Sequence, residues 1–257
     1  MANVFDVNTN KQGLIVYGGE ASSDFGMVVS EAPSFERPKR KSTTYTVPGR
    51  NGSVVFQQDA WEDVVRNYKV WLAEAVVEDS GGIKSGYLVE KVDAIEAWLN
   101  SLKGYQRLED NFEPDVYRLA YFNGGAGFSD ELTMYGEATL SFTCRPERFL
   151  KSGETPISVS NGDTIKNDTR FTSKPLIHIE VASTTTITVS INGKSITAAV
   201  DDYINIDCET MNAYRLATEN KNSSISGDFP TIAPGNNGIG ITGAVTLIEI
   251  TPRFYTI

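Results

Sequence analysis

Cysteine, histidine and long apolar runs are scarce in this 257-residue sequence, and each scarcity excludes a class of protein. The two cysteines, Cys144 and Cys208, lie far apart and are too few for a disulfide framework or a zinc-ligand spacing. No stretch approaches the ~20 consecutive apolar residues of a membrane span. Residues 1–6 lack the basic start and apolar core of a signal peptide. We therefore expect a soluble chain that folds in a reducing compartment, with no metal, no cofactor and no membrane contact.

Positive charge is also scarce. The chain has 23 Lys and Arg against 33 Asp and Glu, a formal net charge of −10. Proteins that grip nucleic acid through its phosphates need clustered Lys and Arg, so the composition argues against that class. The single basic run, residues 37–41, is interpreted as charges that protect an exposed edge strand, ahead of nucleic-acid contact. A charged rim facing an acidic partner is a third interpretation.

Catalytic motifs are few. His178 lies in an alternating, strand-like segment without a Ser or Cys nucleophile motif nearby, so we predict a half-buried structural residue rather than a catalytic one. Residues 238–243 match Gly-x-Gly-x-x-Gly, but a β-branched segment follows where a nucleotide site needs a helix. Residues 124–127 are interpreted as a loop. A glycosidase needs only two carboxylates for catalysis, so counting residues leaves that hypothesis open. Otherwise the sequence predicts no enzyme and no catalytic or metal-binding residues.

The residues that are present predict a mainly β protein in two domains, 1–148 and 149–257. The hydrophobic share of 40% is enough for a packed core. The second half is rich in Thr, Ile, Asn and Gly, as a β module would be. In the first half, residues 91–102 place apolar side chains at three- and four-residue steps, which predicts a helix ending before Gly104. Residues 61–77 combine a strand-like alternation with helix-favouring residues, so the sequence leaves open whether they form a strand or a helix.

Two Asn-Gly pairs predict β-hairpins, because both residue types tolerate positive φ angles. Asn51-Gly52 lies between the extended segments 44–47 and 53–56. Asn192-Gly193 lies between 186–191 and 194–197. Further strands are expected at residues 203–206 and 244–250. Short strands joined by polar turns at this density predict a β-sandwich in the second half.

An ordered set of segments resembles the distal tail proteins (Dit) of bacteriophages with long, non-contractile tails. The segments cover nearly the whole chain, and their order is more specific than any one of them. They are residues 22–29, 47–52 (VPGRNG), 102–108, 112–120, 142–146, 173–179, 206–209, 227–237 and 251–255.

The resemblance implies a structural hub at the distal tip of a virion tail, assembled in the bacterial host cytoplasm. Family members form a homohexameric ring, with N-terminal domains around a channel and galectin-like C-terminal sandwiches outside. The ring joins the major tail tube protein to a tail-tip protein, a tail-associated lysin or spike-like protein, and receptor-binding or fibre proteins attach around it. DNA would pass the channel without specific binding, as the acidic composition favours. The chain lacks the large C-terminal insertion by which some members grip receptor-binding proteins.

The basic run and the 47–52 turn supply the candidates for the ring contact. Ring contacts join two different patches, and cations in an acidic chain can meet a neighbour's carboxylates. The predicted oligomer-interface residues are Arg37, Lys39, Arg40, Lys41, Pro48, Gly49, Arg50 and Asn51.

A second hypothesis gives the second half a glycan-binding role in host adhesion. Sugar sites usually combine an exposed aromatic ring with a few oriented polar groups. Tyr203, Tyr214 and Phe229 are the candidate aromatic residues, and the absence of Trp after residue 148 weakens this hypothesis.

Overall fold

A computed structural model describes residues 13–34, 36–73, 87–124, 129–131, 135–216 and 218–257. It divides the chain into two compact units, Met1–Arg148 with Ile257, and Phe149–Thr256. Both units are mainly β, which confirms the predicted fold class. Within the described ranges, no helix has the length and apolar character needed to cross a membrane.

The first unit is a curled antiparallel sheet with one described α-helix packed on it. The strands run in the order β2-β1-β7-β8-β10-β6-β3, with β9 paired to β10. A separate two-stranded sheet is formed by β4 and β5. The elements are β1 (Ile15–Tyr17), β2 (Glu20–Ala21), a 3-10 turn (Ser22–Phe25), β3 (Met27–Val29), β4 (Arg40–Thr46), β5 (Ser53–Trp61), β6 (Val64–Ala73), α1 (Tyr87–Ser101), β7 (Gln106–Asp110), β8 (Val116–Phe122), β9 (Ser129–Glu131) and β10 (Tyr135–Leu150).

The core of the first unit lies between α1 and the inward face of this sheet. Alternate residues of β6 and β10 face inward and pair across the strands, for example Leu140 with Tyr68. From α1, Trp98 stacks on Phe25 with the ring centroids 4.6 Å apart, and its indole N–H donates to the Tyr17 carbonyl at 3.1 Å. Burying such rings is the main favourable term of folding, at about 2 kcal/mol or more per large apolar side chain. The helix prediction is confirmed, and Gly104 just beyond it has a φ of 71°.

The second unit is a β-sandwich of two sheets. One sheet has the order β11-β21-β13-β16-β17-β18, and the other β12-β20-β14-β15-β19. The elements are a 3-10 turn (Lys151–Glu154), β11 (Ile157–Ser158), β12 (Thr164–Asn167), β13 (Leu176–Glu180), β14 (Thr185–Ile191), β15 (Lys194–Val200), β16 (Tyr203–Asp207), β17 (Asn212–Arg215), β18 (Glu219–Asn220), a 3-10 turn (Asn222–Ser224), β19 (Ile225–Gly227), β20 (Gly235–Thr242), β21 (Leu247–Thr251) and β22 (Tyr255–Thr256).

Isoleucine and valine from both sheets fill the space between them. Ile177, Ile206 and Ile250 from the first sheet are fully buried, as are Ile187 and Val189 from the second. Each strand alternates these inward residues with polar outward ones, so each sheet buries one face on the other.

Several sequence predictions need correction or refinement. The sequence leaves residues 61–77 open between strand and helix. In the structure Trp61 ends β5 and residues 64–73 form β6, whereas residues 74–77 lie outside the described residues. The strand expected at 244–250 is β21, Leu247–Thr251. Strand β10 runs from Tyr135 to Leu150, through the segment in which the sequence predicts the domain boundary. Of the expected loop 124–127, only Gly124 is described.

Candidate functional site

Six of the eight predicted interface residues lie on a β-ribbon, here defined as β4, β5 and the turn 47–52 that joins them; Arg37 and Lys39 lie in the segment just before β4. The hairpin prediction is confirmed: Thr46 pairs with Ser53 and Tyr45 with Val54. The turn between these strands spans residues 47–52. Its left-handed residues are Gly49 and Gly52, with φ angles of 79° and 80°, and the Arg50 N–H donates to the Val47 carbonyl at 3.2 Å.

Neither face of the ribbon is covered by the rest of the chain that the structure describes. Cross-strand pairing places Tyr45 and Phe56 on one face and Val55 on the other. Their exposed fractions are 56%, 61% and 54%. Tyr45 and Phe56 contact each other edge to face at 5.7 Å between centroids. Large apolar side chains on both faces of an isolated hairpin are typical of a segment that acquires a partner, because two strands alone are marginally stable in water.

The structure separates the two groups of predicted interface residues. Arg40 and Lys41 open β4 at the base of the ribbon, whereas Pro48, Gly49, Arg50 and Asn51 form the tip. At about 3.3 Å per residue, the seven residues of β4 put base and tip about 20 Å apart. The candidates therefore form two cationic positions on one ribbon, not one patch.

Most of the predicted interface cations have no carboxylate partner among the described residues. Arg40 pairs with Asp59 at 3.2 Å and lies over the Trp61 ring at 4.9 Å. Arg37, Lys39, Lys41 and Arg50 are exposed, and none has an ion pair among the described residues. These side chains are available to carboxylates of another molecule, and the chain itself is acidic.

A buried ion-pair network, which sequence analysis missed, lies at the end of the first unit's core. The Arg66 guanidinium donates to Asp110 at 2.8 Å and to the Tyr68 hydroxyl at 2.7 Å. Glu113 accepts from Arg118 and Arg148. Burial acts to raise the pKa of Glu113, but hydrogen bonding from Arg118 and the charges of Arg118, Arg148 and Arg66 outweigh it and lower the pKa. Glu113 therefore stays ionised, and the network joins β6, β7, β8 and β10.

The side chains outside the ribbon that are often catalytic, the two cysteines and His178, are buried or hydrogen-bonded. Burial raises the pKa of the Cys144 thiol to about 11 and that of Cys208 to about 12, so neither is a thiolate at neutral pH. His178 is half-buried on strand β13, as predicted, and contacts Asn205 and Glu180. Among the described residues, no three His, Cys, Asp or Glu side chains are grouped so as to hold a metal ion. Residues 238–242 lie within strand β20, and the next element is another strand, β21, rather than a helix.

Comparison with known proteins shows which solved structure has a similar fold. No protein-family model matches the chain, and no curated protein matches it in sequence. A solved structure that does match is the crystal structure of the Dit protein (gp 19.1) of phage SPP1, described as a paradigm of the hub adsorption apparatus in phages that infect Gram-positive bacteria. The TM-score is 0.72 at 13% identity, over 95% of this chain and 99% of that one. The resemblance to distal tail proteins is thus confirmed at the level of the fold.

Proposed function

We propose that this chain is the structural hub of a bacteriophage tail tip, located at the distal end of the virion tail. The observation that carries the proposal is the fold likeness to a phage hub protein over nearly the full length of both chains. A similarity confined to one unit would indicate only that the two proteins share a domain. The similarity here spans both units, which supports the same two-domain organisation in the two proteins.

The hub is a homohexameric ring that joins the tail tube protein above to the tail-tip protein below, with receptor-binding or fibre proteins around it. Two features of the chain support this arrangement. The ribbon offers apolar side chains and unpaired cations to a neighbouring copy, as a closed ring of different facing patches requires. The net charge of −10 favours a channel along which DNA phosphates slide without being held.

Mass in solution tests the ring. Native mass spectrometry of the full chain should give a species of six times the 28.1 kDa chain mass. A monomer at every protein concentration would contradict a self-assembling ring.

The role of the ribbon tip is tested by Arg50→Glu. Reversing this charge removes a guanidinium that can bond two carboxylate oxygens and places a like charge against an acidic neighbour. We expect the hexamer fraction to fall steeply, with an unchanged melting temperature of the monomer. The matched control is Lys194→Glu, the same reversal beside the exposed Asn192-Gly193 turn of the second unit, which should leave assembly unchanged. Equal hexamer fractions for both variants would remove Arg50 from the contact.

A further inference from the structure

The outer face of the six-stranded sheet of the second unit carries a continuous row of polar side chains. Strand pairing aligns one outward residue from each strand, so that each is the direct cross-strand neighbour of the next. The adjacent inward row consists of buried Ile250, Ile177, Ile206 and Ala213. The outer row, in order across the sheet, is Ser158, Glu249, His178, Asn205, Tyr214 and Asn220.

Hydrogen bonds within this outer row orient its side chains and leave some of their donor groups free to bind a ligand. His178 Nδ1 lies 2.8 Å from Asn205 Oδ1, and its Nε2 lies 3.0 Å from Glu180 Oε1, so both ring nitrogens are engaged. The Tyr203 ring lies 5.7 Å from the imidazole. The Asn205 amide nitrogen and the Tyr214 hydroxyl have no hydrogen-bond partner among the described residues. The row therefore presents oriented donors beside the carboxylate of Glu249, an acceptor.

One end of the outer row opens into a groove of about 510 Å³. Its walls include Tyr214 and Asn220 from the row, together with Asn212, Thr218 and Glu219. Tyr214 is half-buried, which leaves part of its surface open to the groove. An amphipathic aromatic beside amides and a hydroxyl matches a ligand that has both apolar C–H faces and hydroxyl groups.

The charges on this face exclude a polyanion. Its cations are already neutralised: Arg253 binds Asp207 through two nitrogens, at 2.6 and 3.1 Å, and Lys221 lies 2.8 Å from Glu219. Arg215 contacts the same Glu219 at 3.1 Å. Glu249 adds a carboxylate without a Lys or Arg partner among the described residues. Phosphate groups need unpaired Lys or Arg, which this face does not offer.

We infer that the outer row and its groove form a binding site for a neutral saccharide. Asn205 and Asn220 donate to hydroxyl oxygens, Glu249 accepts from hydroxyls, and Tyr214 packs against the face of a pyranose ring. The inference is independent of ring formation, because it uses only residues of the second unit. It gives that unit a role in contact with a cell-surface glycan.

A glycan array tests this inference with the labelled full-length chain. The array carries neutral glycans terminated by glucose, galactose, mannose, rhamnose and N-acetylhexosamines, alongside phosphodiester-linked glycans. We expect binding to neutral glycans and none to the phosphodiester set. Binding to no neutral glycan, or only to phosphodiester glycans, overturns the inference.

Variants locate the site. Asn205→Ala and Asn220→Ala should each weaken the affinity for the bound glycan about tenfold by removing a donor. Asn220 is exposed, so its variant reports on binding even where Asn205→Ala loses stability. The control is Thr197→Ala on the other sheet, where Thr197 makes a 2.9 Å cross-strand contact with Thr188. Unchanged glycan affinity in both asparagine variants overturns the assignment of the site.

Discussion

At the residue scale, charge burial in the first unit is concentrated on Asp110. One carboxylate oxygen accepts from Arg66 and the Tyr68 hydroxyl, and the other accepts from the backbone N–H groups of Phe112 and Glu113. The two oxygens therefore accept four hydrogen bonds. Because the Arg66 side chain is 3% exposed, its positive charge has almost no access to water and depends on this carboxylate, 2.8 Å away, and on Glu113, 3.2 Å away.

Replacing Asp110 with alanine should destabilise the first unit by about 3–5 kcal/mol, since it leaves the buried Arg66 charge without this carboxylate. Urea unfolding followed by Trp fluorescence measures this unit alone, because all three Trp residues precede residue 149. The control is Glu31→Ala, which removes an exposed pair with Lys69 and should cost less than about 1 kcal/mol. A similar small effect at Asp110 would show that the network contributes little.

His178 makes the stability of the second unit depend on pH. Burial acts to lower its pKa, but the hydrogen bonds with Glu180 and Asn205 and the charges of Glu180 and Glu249 outweigh it and raise the pKa above 6.5. A pKa raised on folding adds stability that is complete below the unfolded value and is lost as pH rises through the folded value. Calorimetric scans of the full chain should therefore show a melting temperature of the second unit that falls from about pH 6 to pH 8. The His178→Gln variant should lack this decrease, and a parallel decrease in it would assign the effect to another group.

At the element scale, the two Asn-Gly hairpins illustrate what a local signal specifies. In the second unit, Asn192 and Gly193 have φ angles of 50° and 83°, and Ile191 pairs directly with Lys194, as a two-residue turn requires. In the ribbon, the same dipeptide closes a longer turn in which Gly49 supplies the other left-handed position. The dipeptide therefore predicted the hairpin but not the turn type.

Gly193→Ala should destabilise the second unit by about 1–2 kcal/mol, because alanine resists the left-handed conformation. An added Cβ would meet no atom within 4 Å, so the cost comes from the backbone alone. Gly238→Ala is the matched control: it also has open space, but its φ lies outside the left-handed range. That variant should match or slightly exceed the wild type in urea unfolding. Equal losses for the two variants would argue against a conformational cost.

Local periodicity predicted α1 and the sandwich strands, but it could not predict which side chains far apart in the sequence contact each other. The side chain of Arg66 meets that of Asp110, 44 positions away in the sequence. Near the end of β10, Arg148 pairs with Glu113, 35 positions away, and no local pattern indicates that contact. Alternation in β4 and β5 predicted strands but could not show that both of their faces are exposed.

At the scale of the whole molecule, the two units are expected to fold independently. Among the residues that the structure describes, the buried residues of the second unit's core run from Ile165 to Ile250. A chain of about 110 residues buries enough surface to be stable without disulfides. The fragment 149–257 should therefore melt cooperatively by circular dichroism and remain monomeric. An unfolded fragment would show that its stability depends on the first unit, and a hexameric fragment would move the ring contact out of the ribbon.

The two buried thiols bear on the life cycle proposed for this protein. A particle assembled in a reducing cytoplasm and released into aerated surroundings crosses a large change in redox conditions. Cys144 and Cys208 lie in separate cores and remain protonated, so they offer no thiolate to oxidants or to each other. The two thiols are then the same before and after release, and we expect no disulfide to crosslink neighbouring chains as a particle ages outside the host.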